Sequence, residues 1–218
     1  ALVALKMLRL SENRATSQLP VRVTLEQVGE KENKTVISRQ TFKEEQKNKR
    51  EIKGFTPEIP VGSRVRYRLF NDSDQPLYYT LINVDPRERL SAFCPADAES
   101  VTPAVEVNTG DQGVPTISAA SIAPGSAIAI PSADLDWAVN LPTGPIETYI
   151  VCTTRPLNNT FELLSGDINN TGQRISPLPN PLDVVKAILS DISNGDDADS
   201  YTLDMTEWAT LNFTYQAV

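Results

Sequence analysis

Alternation of apolar and polar side chains is the feature that most limits what this chain can fold into. It is clearest at residues 63–70, where Val65, Tyr67 and Leu69 alternate with arginines. Successive side chains of a strand point to opposite faces, so this segment predicts a strand with one buried and one solvated face. The same period predicts further strands at residues 3–10, 20–28, 35–42, 76–85, 89–95, 126–131 and 146–154.

The C-terminal end alternates as well, although chain ends are usually polar and frayed. Residues 203–216 predict a final strand, with Leu211, Phe213 and Tyr215 on the side that faces the core. Burial of such side chains stabilises a fold by roughly 1.5–3 kcal/mol each. A last strand that is inserted in a sheet therefore need not fray.

The connections between these segments favour an all-antiparallel arrangement. Residues 71–76 and 85–88 carry the Asn, Asp, Ser and Pro that are typical of tight turns. Many short strands joined by such turns are typical of a sandwich rather than of alternating strands and helices. The predicted fold is mainly β, an antiparallel β-sandwich with one helix in the C-terminal half packed across an edge or one end.

That helix is predicted at residues 180–195. Asn180 can cap it, Pro181 suits its first position and Gly195 can end it. A second segment, residues 157–166, predicts one or two further helical turns.

Length and charge limit the possible partners. The 218 residues suit a single β-rich domain over residues 1–218, with long loops at about 43–54 and 95–115. The net charge of −8 argues against nucleic acid or an anionic membrane as a partner.

No apolar run approaches the roughly 18 residues that cross a bilayer, and no signal peptide is recognisable. A cytoplasmic location is expected, since two cysteines do not make a disulfide scaffold.

Catalytic chemistry finds little support in the sequence. The chain has no histidine, which excludes a Ser-His-Asp triad, a Cys-His dyad and an imidazole metal site. Cys94 and Cys152 each end an apolar segment with no base nearby, so both are predicted to be buried structural thiols. Whether the two pair is left open. No catalytic, metal or cofactor-binding residue is predicted, and no cofactor is expected.

One aromatic residue suggests an alternative function. Asp134 and Asp136 lie just before Trp137, an arrangement that suits a sugar site, although a half-buried tryptophan in a strand explains the pattern as well. Asn-x-Ser/Thr triplets keep a secreted glycoprotein possible. They begin at Asn33, Asn71, Asn158, Asn169 and Asn212. The alternative is therefore a carbohydrate- or surface-binding module of a secreted protein.

Three arginines, Arg64, Arg66 and Arg68, share one face of the clearest strand. In an acidic protein such a stripe is expected to pair with carboxylates of a neighbouring strand. The competing interpretation is a basic docking face for a partner.

Several long segments resemble the C-terminal domain of cyanobacterial caspase-like peptidases, the orthocaspases or bacterial metacaspases, a domain of unknown function that follows the peptidase domain. These segments are residues 19–26, 60–85, 122–131, 144–164 and 199–216, and they occur in the family's order. The catalytic His and Cys of the family belong to the peptidase domain, and neither Cys94 nor Cys152 carries that role over. The resemblance implies a non-catalytic regulatory or protein-interaction domain whose partner is a peptidase domain of the same polypeptide or another protein.

The resemblance also draws attention to a charged segment. Peptidases of that family favour Arg and Lys before the scissile bond and often process their own chain. Lys47, Lys49 and Arg50 are therefore a candidate processing or contact loop, against the simpler interpretation of a solvated hairpin tip.

Overall fold

In the described part of the chain, two sheets face each other, and three helices cover the outer surface of the larger one. A computed structural model of the chain describes residues 2–30, 32–41, 56–93, 121–131, 135–165, 176–178, 180–193 and 204–218. The predicted loops at 43–54 and 95–115 lie outside these residues. The described part is mainly β, and the predicted β-sandwich is confirmed.

The smaller sheet has the order β2-β1-β4-β8, with β9 also paired to β4. All its pairings are antiparallel, as alternating strands joined by tight turns predict. Its strands are β1 (Val21–Gln27), β2 (Lys34–Gln40), β4 (Arg64–Asn71), β8 (Ala127–Ile130) and β9 (Trp137–Ala138).

The larger sheet has the order β11-β6-β5-β10-β12-β3, with β7 also paired to β5. Only the β12–β3 pairing is parallel among the described strands. Its strands are β3 (Glu58–Ile59), β5 (Leu77–Val84), β6 (Leu90–Phe93), β7 (Ser121–Ile122), β10 (Gly144–Thr153), β11 (Ser176–Pro177) and β12 (Trp208–Ala217).

The main core lies between the sheets and consists of the inward-facing residues of each alternating strand. Val65, Tyr67 and Leu69 of β4 are buried there, as the alternation predicted. From the opposite sheet, Leu211 and Phe213 of β12 are 0% exposed. The alternation of apolar residues therefore predicted the buried face correctly for β4 in the smaller sheet and for β12 in the larger sheet.

A second core lies on the outer face of the larger sheet, beneath the helices α1 (Leu2–Ser11), α2 (Asn158–Ser165) and α3 (Pro181–Ile192). Ile82, Tyr149 and Trp208 contribute the sheet side of this layer. The predicted helix α3 does pack on the sandwich, but together with α1 and α2 it covers this outer face rather than an edge or one end. β5 and β10 carry large apolar side chains on both faces, and the second face needs a cover of its own.

Residues 3–10 form α1 and not the strand that period 2 predicted. Ala4, Leu5, Leu8 and Ser11 are the buried residues of its inner face, at successive spacings of one, three and three that fit one face of a helix. The segment consists mostly of Leu, Ala, Lys, Met and Arg, which are strong helix formers. Short apolar runs fit both periods, and here helix propensity and burial decide the outcome.

The predicted C-terminal-half helix is confirmed as α3, with Asn180 at the N-cap and Pro181 in the first turn, although the Asn180 side chain makes no capping hydrogen bond. Gly195 lies outside the described residues. Asp191 of α3 caps the neighbouring helix α2 instead. Its carboxylate accepts hydrogen bonds from the backbone N–H groups of Asn159 (3.1 Å) and Thr160 (2.9 Å) and from both side chains.

The final strand begins later than predicted, at Trp208 rather than at residue 203. The Asp204 carboxylate accepts hydrogen bonds from the backbone N–H (2.9 Å) and the hydroxyl (2.7 Å) of Thr206, which fixes a turn before the strand. From there β12 pairs with β10 over its whole length, from Thr153 opposite Trp208 to Gly144 opposite Ala217. The end of the chain is thus inserted between β10 and β3.

Candidate functional site

The one cysteine within the described residues is a structural thiol, as predicted. Cys152 lies on β10, is 0% exposed and is not in a disulfide. Burial raises the pKa of its thiol to about 12, so the thiolate is scarce at neutral pH. Cys94 lies outside the described residues.

We expect Cys152 to resist alkylation in the folded protein. In a Cys94→Ser background it is the single thiol, and a pKa of about 12 in place of 9.0 lowers the thiolate fraction roughly thousandfold. Iodoacetamide at pH 8 should leave it intact by mass spectrometry until guanidinium unfolds the chain. Alkylation of the native protein at the rate of an exposed cysteine would contradict the buried position.

No group of three potential ligands for a metal ion occurs within the described ranges. In the same part of the chain, no helix combines the length and apolar character that a membrane crossing requires.

The arginine face is engaged in ion pairs, as the expected pairing with neighbouring carboxylates predicted. The guanidinium of Arg64 lies 2.7 Å from Asp136, and Glu26 of β1 lies 3.5 Å from Arg66 and 3.4 Å from Arg68. Much of the charge on this face is therefore balanced within the smaller sheet. The candidate processing loop of Lys47, Lys49 and Arg50 lies outside the described residues.

In one of the five Asn-x-Ser/Thr triplets, the side-chain amide of the asparagine is buried and hydrogen-bonded. The Asn71 side chain is 0% exposed, and its Nδ2 donates to the carbonyls of Gln75 (2.7 Å) and Ile122 (2.9 Å). A glycan would replace one of the two hydrogens on that nitrogen, so at least one of these hydrogen bonds would be lost at a buried position. This triplet is therefore not a glycan site in the folded domain.

A cavity of about 410 Å³ opens at the end of the sandwich where the β5–β6 turn, β9 and the start of β10 meet. We call it the end cleft. Its lining residues come from both sheets and their connections. They are Val65, Tyr67, Leu81, Asn83, Asp85, Pro86, Arg89, Trp137, Ala138, Val139, Asn140, Leu141, Pro142, Ile146, Thr148 and Tyr215.

Hydrogen bonds connect several polar side chains that line the end cleft. The Tyr67 hydroxyl donates to Thr148 Oγ1 (2.8 Å), which donates to Asn83 Oδ1 (3.1 Å). Burial raises the pKa of Tyr67 well above its ordinary value and that of Tyr215 to about 12. Both hydroxyls are therefore neutral hydrogen-bonding groups at physiological pH.

The mouth of the end cleft carries a balanced ion pair. Arg89 Nε donates to Asp85 Oδ2 (2.7 Å), and the backbone N–H groups of Arg87 and Arg89 donate to Asp85 Oδ1 (both 2.9 Å). Burial opposes the charged form of Asp85, but these hydrogen bonds hold its pKa below the ordinary value. The carboxylate is thus ionised, fixed and neutralised by Arg89.

Trp137 supplies an aromatic wall of the cleft. β9 pairs with β4 so that Trp137 lies opposite Val65. Its ring makes edge-to-face contacts with Tyr67 (centroids 6.3 Å apart) and Phe93 (5.4 Å). Of the two aspartates that precede it in the sequence, Asp136 pairs with Arg64, and Asp134 lies outside the described residues.

A close backbone approach shapes the rim of the cleft. Gly144 has φ +139°, and a Cβ there would lie 2.8 Å from the Cβ of Pro86, a lining residue. Only glycine fits this contact, because side-chain-bearing residues rarely adopt that φ and would clash.

The outer face of α1 is the other exposed feature of note. Leu2, Val3 and Leu10 are 69%, 60% and 76% exposed, and Lys6 lies between them on the same side of the helix. The opposite side of α1 packs on the outer core through Leu5 and Leu8. α1 is therefore apolar on both sides, which is unusual for a helix at a protein surface.

No protein-family model, curated protein or solved structure matches this chain. Of the residues that line the end cleft, the sequence pointed to Trp137 alone. Tyr67 and Tyr215 were predicted only as core residues, and Asn83 and Thr148 gave no signal. The outer face of α1 was missed because the segment was interpreted as a strand.

Proposed function

We propose that this chain is a non-catalytic regulatory or protein-interaction domain of a caspase-like cysteine peptidase. Five segments resemble the orthocaspase C-terminal domain and follow one another in the same sequence order, which supports this assignment. The burial of Cys152 is consistent with it, since that thiol is 0% exposed and its pKa is raised to about 12.

The observation that carries the interaction role is the outer face of α1. Its three leucine and valine side chains remain exposed although the helix already fills the outer core with other residues. Exposed apolar side chains grouped on one helix face are typical of the buried core of a protein–protein interface. The resemblance names the partner, a caspase-like peptidase domain.

A cytoplasmic location is part of the same proposal. Cys152 is unpaired and buried, and the amide of Asn71 is committed to the fold rather than to a glycan. An unpaired buried thiol suits a reducing compartment, and a hydrogen-bonded Asn71 amide suits a compartment without glycosylation.

The test begins with the full reading frame, which shows whether a His/Cys peptidase domain lies on the same polypeptide. That domain is mixed with this chain, and co-elution and the hydrolysis rate of Arg- and Lys-ended peptides are measured. We expect association, a changed rate, and about tenfold weaker binding when Val3→Gln and Leu10→Gln are combined, because two apolar contacts are lost. Lys6→Gln is the matched control, since it changes the same face without removing apolar side chains.

Cleavage after Lys47, Lys49 or Arg50 during this incubation, read by mass spectrometry, would support the processing loop. If the two proteins neither associate nor alter the rate, the interaction role is wrong. Association that the double glutamine variant leaves unchanged would place the interface elsewhere and contradict the role of α1.

A further inference from the structure

We propose that the end cleft binds a neutral saccharide unit, which packs on Trp137 and is hydrogen-bonded by Asn83 and Tyr215. The proposal rests on the lining of the cleft and does not depend on a peptidase partner.

The size of the cleft fits a small ligand. Its volume of about 410 Å³ falls in the range of roughly 300–1,000 Å³ that is typical of small-molecule sites. Tyr67 of β4 lies on one side of the sandwich and Tyr215 of β12 on the other, so the cavity enters the space between the two sheets. A helix or a strand pair is too wide for such a space, whereas a sugar ring is not.

The charge of the lining favours a neutral ligand. Its acid and base, Asp85 and Arg89, pair with each other at the mouth, with Nη2 and Oδ2 2.6 Å apart. Tyr67 and Tyr215 keep their protons at neutral pH. An anionic ligand would have to compete with Asp85 for Arg89, and a cationic ligand would have to compete with Arg89 for Asp85.

The polar groups of the lining are partly used and partly available. Asn83 Oδ1 is occupied by the Thr148 hydroxyl, which leaves its Nδ2 as a donor with no hydrogen bond to any described residue. The Tyr215 hydroxyl likewise makes no hydrogen bond within the described part of the chain, although the residue is only 5% exposed. A ligand that both accepts and donates hydrogen bonds satisfies these groups, and sugar hydroxyl groups do both.

The aromatic wall supplies the remaining element of saccharide recognition. A pyranose ring has one face of C–H groups, which packs on an indole ring, and a rim of hydroxyls, which amides bind. Trp137 and Asn83 lie on the same cavity, on β9 and β5. An apolar peptide side chain would use the wall but leave the amide without a partner.

The first measurement is a glycan array with the full chain, followed by titration of each hit while the two indole N–H signals are recorded by NMR. Trp208 is 2% exposed beneath the helices and serves as an internal reference. We expect a neutral glycan to shift the Trp137 signal in a saturable way and to leave the Trp208 signal in place. Absence of any hit, or hits restricted to charged glycans, would overturn the proposal.

Variants then separate the site from other surfaces. Affinities of the variants are measured by calorimetry, because Trp137→Ala lacks the reporting signal. Trp137→Ala and Asn83→Leu should each weaken binding by about tenfold or more, since the first removes an aromatic contact and the second a hydrogen-bond donor. Leu135→Ala is the matched control, because Leu135 is 44% exposed, lies two residues away and does not line the cleft. An unchanged Trp208 signal shows that each variant is folded. Equal affinity of Trp137→Ala and Leu135→Ala for the glycan would overturn the site.

Discussion

A chain that ends at Ser200 should not fold. It lacks β12, which pairs with β10 over ten residue positions and with β3 on its other side. It also lacks four large buried side chains, those of Trp208, Leu211, Phe213 and Tyr215. At roughly 1.5–3 kcal/mol each, they stabilise the fold by an amount comparable to the typical total stability of about 5–15 kcal/mol.

The expected result is loss of the near-ultraviolet circular dichroism signal and of any cooperative urea transition. A cooperative transition of the shortened chain at the urea midpoint of the full chain would show that β12 is dispensable. The missing strand can also be supplied as a peptide of residues 201–218. Recovery of the signal on mixing would show that β10 and β3 keep a competent edge for it.

A pair of point variants resolves the contribution of one buried position on β12. Phe213→Ala removes a ring that is 0% exposed and in edge-to-face contact with Tyr67, so a loss of about 3–5 kcal/mol is expected. Thr214→Ala, on the opposite side of the same strand, should cost well under 1 kcal/mol. Similar urea midpoints for the two variants would contradict the inward position of Phe213.

Strands with one buried and one solvated face could be predicted from the sequence by their alternation. β4 is the clearest case, since Val65, Tyr67 and Leu69 enter the core while arginines pair outside it. Period 2 is a direct consequence of that asymmetry. The same reasoning gave the inward side of β12.

α1 and the helical layer could not be predicted in the same way. A run of ten mostly apolar residues fits a strand and a helix alike, and the choice depends on what the segment packs against. Here that is the outer face of β5 and β10, through residues such as Ile82 and Val151. The large apolar area of this outer face arises only when β10 pairs between β5 and β12, and the sequence of α1 does not contain that information.

The end cleft could not be predicted from the sequence, for a related reason. Its polar residues Tyr67, Asn83, Thr148 and Tyr215 lie on four different strands, β4, β5, β10 and β12. Each fits its own strand pattern, so none stands out singly. What distinguishes them is their position on one cavity, which arises from the register of both sheets.

The second large effect is expected at Asn71, where a change of one atom type should destabilise the domain. Its Oδ1 accepts hydrogen bonds from the Ser73 backbone N–H (3.0 Å) and hydroxyl (2.6 Å), while its Nδ2 donates to two carbonyls. Asn71→Asp keeps the shape and the acceptor but places a carboxylate oxygen against the carbonyls of Gln75 and Ile122. We expect a loss of about 3–5 kcal/mol in the free energy of unfolding. The buried Ile122 carbonyl loses its donor, the Gln75 carbonyl loses one of its two donors, and a new charge lies beside both.

The pH dependence identifies the cause of this loss. Burial and the facing carbonyls raise the pKa of the introduced carboxyl in the folded state above its unfolded value of about 3.9. The protonated form is thus favoured by folding, so the deficit relative to the parent is greatest well above that folded pKa and shrinks as the pH falls towards 4. Gln75→Glu is the matched control, since it makes the same amide-to-carboxylate change on an exposed side chain of the same turn. If urea titrations at pH 7 and pH 4 gave the two variants equal, pH-independent losses, the Asn71 amide would not be the group that joins the β4–β5 turn to β7.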